Sequence, residues 1–183
     1  MRSIEEIQEE LKIVDKEIVF GCYSSGREVD TISLRKRRDE LQNEFYLRRR
    51  TKLVASSDEL DVYEEEKFKD HYVYYVVLHD TYSITGFITA MYDKGPHSIG
   101  NIGYETYPKF RGHGYTRKAL ELLCDTFLER GMEESIIVIN ASNIASIKTT
   151  EGFGGVLVSS SGRETGRNIY NVDIKQKVLS RRK

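Results

Sequence analysis

Apolar residues return every three or four positions from Ile4 through Ile7, Leu11 and Val14 to Ile18, with charged residues filling the gaps. That spacing predicts an amphipathic helix with a narrow seam. Ser3-x-x-Glu6 is a capping box opening it. Gly21 to Gly26 interrupts the pattern, and a second helical stretch from Thr31 to Arg50 carries Ile32, Leu34, Leu41, Phe45 and Leu47, less regularly spaced. Two such helices bury each other's stripes as an antiparallel hairpin. Their surplus apolar surface must find the main domain or a second subunit, so a homodimer is one expectation.

Beyond Arg50 the period changes. Lys52 to Ala55 suggests a short strand, while Ser56-x-x-Glu59 reads as a second capping box opening an acidic helical segment through about Lys69. Tyr72 to Leu78 and Ile84 to Tyr92 are rich in β-branched and aromatic residues and read as strands, with a turn at His79 to Ser83. Asp93-Lys-Gly-Pro96 is a strong turn, which returns Ser98 to Tyr107 antiparallel to the strand before it. Leu120, Leu123, Phe127 and Leu128 form the apolar face of the next helix, with Gly131 as its stop. Ser135 to Asn140 has a continuous apolar run from Ile136 to Ile139, as in a strand covered on both faces, and makes a strand-helix-strand unit of right-handed crossover. A short helix over Asn143 to Phe153 follows, then strands near Val156 to Ser159 and Asn168 to Ile174 about a polar turn, and a basic, frayed tail from Lys175 to Lys183. The fold class predicted is α/β or α+β: a mixed, mostly antiparallel twisted sheet flanked by helices. The expected division is a hairpin over residues 1–52 and a main domain over 53–183.

Composition narrows the function classes. The chain of 183 residues has 28 basic and 29 acidic side chains, so no whole-molecule field announces a nucleic-acid partner. Basic residues do cluster at Arg35, Lys36, Arg37 and Arg38 and again at Arg48, Arg49, Arg50 and Lys52. Without interleaved aromatics, that run reads as a solvated, salt-bridged helix face and not as a nucleic-acid surface. Only Cys22 and Cys124 occur, no apolar run reaches the length of a membrane span, and the charged N-terminus resembles no secretory signal. The expectation is a reducing cytoplasm, no membrane, no metal site, and cysteines that serve as packing residues.

The stretch with most chemistry is Tyr107-Pro-Lys-Phe-Arg-Gly-His-Gly-Tyr-Thr-Arg-Lys-Ala-Leu120, where a strand ends, glycines turn the chain and a helix begins. The first N–H groups of a helix lack partners and lie at the positive end of its dipole, so Arg111, Gly112 and Gly114 read as an anion cradle. A Walker loop is excluded by the absence of a Gly-Lys-Ser/Thr ending. A dinucleotide fingerprint is excluded because Arg117 stands where its third glycine or alanine belongs. A tight strand-helix connection with no ligand is the alternative.

Arg111-Gly-His-Gly-Tyr-Thr116 resembles the acetyl-CoA pyrophosphate loop of the GNAT N-acetyltransferase superfamily, Arg/Gln-x-x-Gly-x-Gly/Ala, with Thr116 departing at the last position. Ile102-Gly-Tyr-Glu-Thr-Tyr-Pro108 before the loop and Ala119-Leu-Glu-Leu-Leu123 after it resemble that family's flanks. Asn140-Ala-Ser-Asn143-Ile-Ala-Ser146 and Glu151-Gly-Phe-Gly-Gly-Val156 resemble its later motifs. The likeness covers roughly residues 70 to 175. It implies a sheet whose central strands splay to admit a pantetheine arm, and acetyl-CoA as co-substrate. Tyr107, Arg111, Gly112, His113, Gly114, Tyr115 and Thr116 are the implied cofactor-loop residues. Thr106, where the family usually has valine, is the implied backbone ligand, and Asn143 the implied pantetheine ligand or, equally, a helix N-cap.

Direct acetyl transfer requires a neutral amine, a polarised carbonyl and a stabilised thiolate. Glu105 is the candidate base, being the carboxylate on the strand beside the implied thioester; a surface glutamate is the plainer reading. Packing is the expectation for its neighbours Tyr104 and Tyr107, and contact with solvent or phosphate for His113. The family's general-acid tyrosine falls on Thr150, whose hydroxyl is too weak an acid. The expected function is acetyl transfer to a primary amine of a small molecule or peptide. The alternative is a binding or regulatory protein in which the fold senses acetyl-CoA and the basic hairpin engages a nucleic acid or protein partner.

Overall fold

The computed structural model describes residues 2–21, 31–92, 100–160 and 166–182. The predicted turns at Asp93–Pro96 and within 161–165, the hairpin loop and Cys22 lie outside the described residues. Helices α1 (Ile4–Gly21) and α2 (Thr31–Arg50) form the N-terminal pair. The Ser3 capping box is closed in both directions: Glu6 N–H donates to Ser3 Oγ at 3.1 Å, and Ser3 N–H to the Glu6 carboxylate at 2.6 Å. Ile7, Val14, Ile18 and Leu41 are buried between the helices, as the seam predicts. Arg37 on α2 reaches Glu10 on α1 at 2.7 Å, and Arg2 meets Glu44, so the helices run antiparallel and the basic run is partly neutralised by the acidic one.

A five-stranded antiparallel sheet follows, in order β1 (Lys52–Ser56), β2 (Leu60–Phe68), β3 (His71–Leu78), β4 (Ile84–Met91) and β5 (Ile102–Thr106). β2 corrects the helix expected over Ser56 to Lys69. Its glutamates suggest a solvated helix, yet Leu60 and Val62 are fully buried in the main core. The Ser57 hydroxyl accepts from Leu60 N–H at 3.0 Å in a local turn in place of a helix cap. Two of its glutamates have tertiary or cross-strand partners: Glu64 pairs with Arg130 at 2.7 Å, and Glu65 accepts from Tyr46 and Tyr75. Pairing with β1 and β3 on both sides outweighs the local preference.

Alternation along the ladders gives the sheet two distinct faces. Val62, Tyr74, Ile88 and Ile102 belong to the main core with Leu120 of α3 (Tyr115–Leu122), Phe127 of α4 (Cys124–Glu129) and Leu123 between them. On the other face Leu47 of α2 is fully buried against Tyr63 and Val77, while the Tyr46 ring meets Tyr75 edge-on at 6.0 Å. The surplus surface of the hairpin thus finds the main sheet.

The second sheet is three-stranded and antiparallel, in order β6 (Glu134–Asn140), β8 (Arg167–Asp173), β7 (Val156–Ser160), with α5 (Ile144–Gly152) between β6 and β7. The strand-helix-strand unit occurs in the predicted order, but β5 and β6 share no continuous ladder. They are pinned at one end only: Asn101 N–H donates to Ile136 C=O at 2.9 Å, Ile136 N–H to the Asn101 side chain at 2.7 Å, and Gly100 bridges Ile137. The expected frayed tail is instead helix α6 (Ile174–Arg181). Asp173 caps it, accepting from Gln176 N–H at 2.7 Å, and Ile174 and Val178 are buried. Its Lys177 and Arg181 pair with Glu121, and Arg182 with Asp125, so the basic charge is spent on acids of α3 and α4.

Candidate active site

Beyond the Asn101 pin β5 and β6 separate, and a cleft of about 240 Å³ opens at the far end of β5. It is lined by Tyr104, Glu105, Thr106 and Arg111 on one side and Asn143, Ser146 and Thr149 on the other. β5 is the edge strand of its sheet. Tyr107 N–H donates to Thr85 C=O and Met91 N–H to Asn101 C=O, both at 2.9 Å. Alternation along an antiparallel pair therefore turns the backbone of Gly103 and Glu105 toward β4 and that of Tyr104 and Thr106 toward the open edge. The Thr106 carbonyl is taken by Arg111 Nε at 3.2 Å, which leaves the Thr106 N–H facing the cleft.

Side chains follow the same alternation. Thr106 and Tyr104 lie on the core face. Glu105, paired with Phe87, lies on the hairpin face, where the Phe87 and Tyr107 rings stand 6.4 Å apart. Glu105 is exposed.

The glycine turn leads from β5 through a short 3-10 turn (Pro108–Phe110) into α3. Gly112 has φ +84° and Gly114 φ +75°, conformations that other residues adopt only with strain, and a Cβ built on either meets nothing within 4 Å. Gly114 is the N-cap of α3 and no side chain caps the helix. The N–H groups of the first turn, Tyr115, Thr116 and Arg117, thus lack intrahelical acceptors. His113 stacks on Tyr115 with rings 5.2 Å apart and 10° from parallel. Among the described residues no cluster of His, Cys, Asp or Glu could hold a metal, and no helix is long and apolar enough to cross a membrane.

Thr116 is 7% exposed, and its hydroxyl is hydrogen-bonded to that of Thr106 at 2.5 Å. The two departures at Thr106 and Thr116 are thus one feature: two threonines tie the first turn of α3 to the end of β5. Thr150, the third departure, is fully buried, and the Tyr104 hydroxyl lies 2.7 Å from it while donating to Ser146 C=O at 2.8 Å. Asn143 is the N-cap of α5, its side chain accepting from Ser146 N–H at 3.1 Å, and it also lines the cleft. The sequence assigns Tyr104 to packing, and the structure also puts it on the cleft wall. The available signal was its alternation with Ile102 and Thr106 on one face of β5. Cys124 is buried, its thiol pushed up to about 11 by burial, which fits a packing residue.

The acetyltransferase (GNAT) domain family matches residues 23–156, most of the chain. The chain belongs to the GNAT acetyltransferase family. Several solved structures are similar to this chain. A variant of the spermidine N-acetyltransferase SpeG from Vibrio cholerae is 14% identical, with TM-score 0.51 over 64% of this chain and 72% of that one. An acetyltransferase from Agrobacterium tumefaciens is 21% identical, with TM-score 0.46 over 56% of this chain and 60% of its own length. The microcin self-immunity acetyltransferase MccE, in complex with acetyl-CoA and AMP, is 16% identical, with TM-score 0.45 over 93% and 88% of the two chains. No curated protein matches the sequence.

Proposed function

We propose that this GNAT protein binds acetyl-CoA along the core face of β5 and transfers the acetyl group directly to a primary amine of a small molecule or peptide. The observation that carries the reading is the convergence of two features on one strand end. An uncapped helix N-terminus with two open glycines follows β5, and the cleft between the splayed strands begins there. The diphosphate would lie on the N–H groups of Gly112 to Thr116, with Arg111 and His113 beside it. The pantetheine arm would run down the cleft, hydrogen-bonded by the open-edge N–H of Thr106 and by the Asn143 amide. An extended amide-bearing arm then completes the unpaired edge of β5 as another strand would.

The acceptor enters from the other face. Glu105 projects there beside Phe87 and Tyr107, where an amine can approach the edge of β5 without displacing the cofactor. Glu105 accepts the proton that the amine must lose, directly or through a water. Glu64 of β2 is already partnered by Arg130, and Glu65 by Tyr46, Tyr75 and Lys67, which leaves Glu105 as the carboxylate that lines the cleft. The cytoplasm is the compartment this reading expects.

Glu105→Gln tests the assignment, because it keeps shape and removes the proton acceptor. Turnover is expected to fall by about 10²- to 10⁴-fold with acetyl-CoA affinity near that of the unsubstituted protein. An unchanged pH-rate profile in the variant removes Glu105 from the mechanism.

A further inference from the structure

Acetyl transfer leaves a thiolate that needs a proton, and Thr150 cannot supply one usefully. The cleft nevertheless contains a stronger acid. Tyr104 carries a phenol into it from the residue next to Glu105, and its hydroxyl sits within hydrogen-bond distance of Thr150. Neighbouring residues on a strand project to opposite faces. Base and phenol therefore flank the β5 edge from opposite sides, so the proton taken from the amine and the proton given to sulfur are handled by separate groups on either side of one thioester carbonyl.

We propose that Tyr104 protonates the departing CoA thiolate, which makes it a catalytic residue of the acetyl transfer proposed above. The amine nitrogen attacks the thioester carbonyl carbon and the C–N bond forms. The amine proton passes to Glu105. Collapse of the tetrahedral intermediate breaks the C–S bond, the electron pair stays on sulfur, and sulfur takes the Tyr104 O–H proton. The phenolate recovers a proton from solvent, to which Glu105 returns the one it accepted, so the balance is amide plus thiol and needs no other reactant.

Two features of the geometry suit this role. The Tyr104 O–H donates to Ser146 C=O, an interior helix carbonyl that already has an acceptor role toward Thr150 N–H within α5, so this bond is dispensable and the proton is free to be redirected. The Thr150 hydroxyl remains beside the phenol oxygen and can donate to it, stabilising the phenolate as the O–H proton leaves. Burial raises the Tyr104 pKa, which keeps the phenol protonated and ready at neutral pH.

The test compares the full-length protein with Tyr104→Phe and Thr150→Val, using acetyl-CoA, a panel of primary amines and detection of free thiol. Tyr104→Phe is expected to bind acetyl-CoA within about three-fold of the parent while kcat falls on the order of 10²-fold and the solvent deuterium isotope effect on kcat shrinks. Thr150→Val keeps the phenol and is expected to lose less than ten-fold in kcat. Turnover by Tyr104→Phe at the parent rate, or a loss of acetyl-CoA affinity and melting temperature as large as the loss of kcat, overturns the assignment; the second result makes Tyr104 a structural tie between β5 and α5. A parent protein that binds acetyl-CoA but releases no thiol with any amine overturns the acetyl-transfer reading and this role with it, whereas an active parent with an unaffected Tyr104→Phe overturns this role alone.

Discussion

Replacing Gly114 with valine separates what the glycine turn does for the fold from what it does for a ligand. In the ligand-free protein a Cβ at this position meets no heavy atom within 4 Å, so the substitution creates no clash. It does impose φ +75° on a β-branched residue, which costs on the order of 1 to 3 kcal/mol of stability. That strain is present with and without ligand and so cancels from the affinity to first order. The diphosphate is different, because its oxygens must occupy the space the valine methyls fill. Each charge-assisted hydrogen bond lost is worth roughly 1.5 to 3 kcal/mol, and losing two weakens acetyl-CoA by about two to four powers of ten. Calorimetric titration at a temperature where circular dichroism shows the variant folded gives the affinity, and denaturant melts give the strain. Gly114→Asn serves as a control, since asparagine tolerates the left-handed region with a smaller stability cost yet still fills the cradle. A pantetheine fragment lacking the diphosphate is expected to bind parent and variant alike. If folded Gly114→Val binds acetyl-CoA as the parent does, the turn is only a strand-helix connection and the cradle reasoning is refuted.

Two further outcomes follow from the packing. Thr106→Val and Thr116→Ala each strand a partly or fully buried hydroxyl, so each is expected to destabilise by about 1 to 3 kcal/mol while the double variant loses less than the sum, with a coupling near 1 kcal/mol in a denaturant cycle; strict additivity shows the hydroxyls do not work together. His79 is held above its ordinary 6.5 by its hydrogen bond to the buried Asp61 carboxylate, which also accepts from Ser56. A raised folded pKa gives stability that is complete below 6.5 and disappears as pH rises through the folded value. Melting temperatures of the parent protein and His79→Gln are therefore expected to converge as pH rises from 6.5 through the folded value, and a constant gap removes the linkage.

Much of this architecture was legible because it rests on local periodicity and caps. The α1 seam, the α2 limits, the Gly114 turn and the Asn143 cap are all written within a few residues of where they act. What was misread depends on distant partners. The glutamates of β2 look like a solvated helix until Arg130, Tyr46 and Tyr75 arrive from other elements to receive them. The tail beyond Asp173 looks frayed until Val178 finds the main core and Arg181 and Arg182 find the acids of α3 and α4. At the site, Thr106, Thr116 and Thr150 each look like a departure from a pattern. Only tertiary proximity shows that two of them bond each other and that the third lies against Tyr104.

The most direct measurement of the central claim is the release of free thiol from acetyl-CoA by the purified protein, followed against a panel of primary amines with the acceptor mass read in parallel. Acetyl-CoA-dependent thiol release with at least one amine, matched by a gain of one acetyl group on that amine, is the predicted result. Saturable acetyl-CoA binding with neither thiol release nor acceptor acetylation across the panel contradicts it, and makes the protein a member of its family that binds the cofactor without transferring its acetyl group.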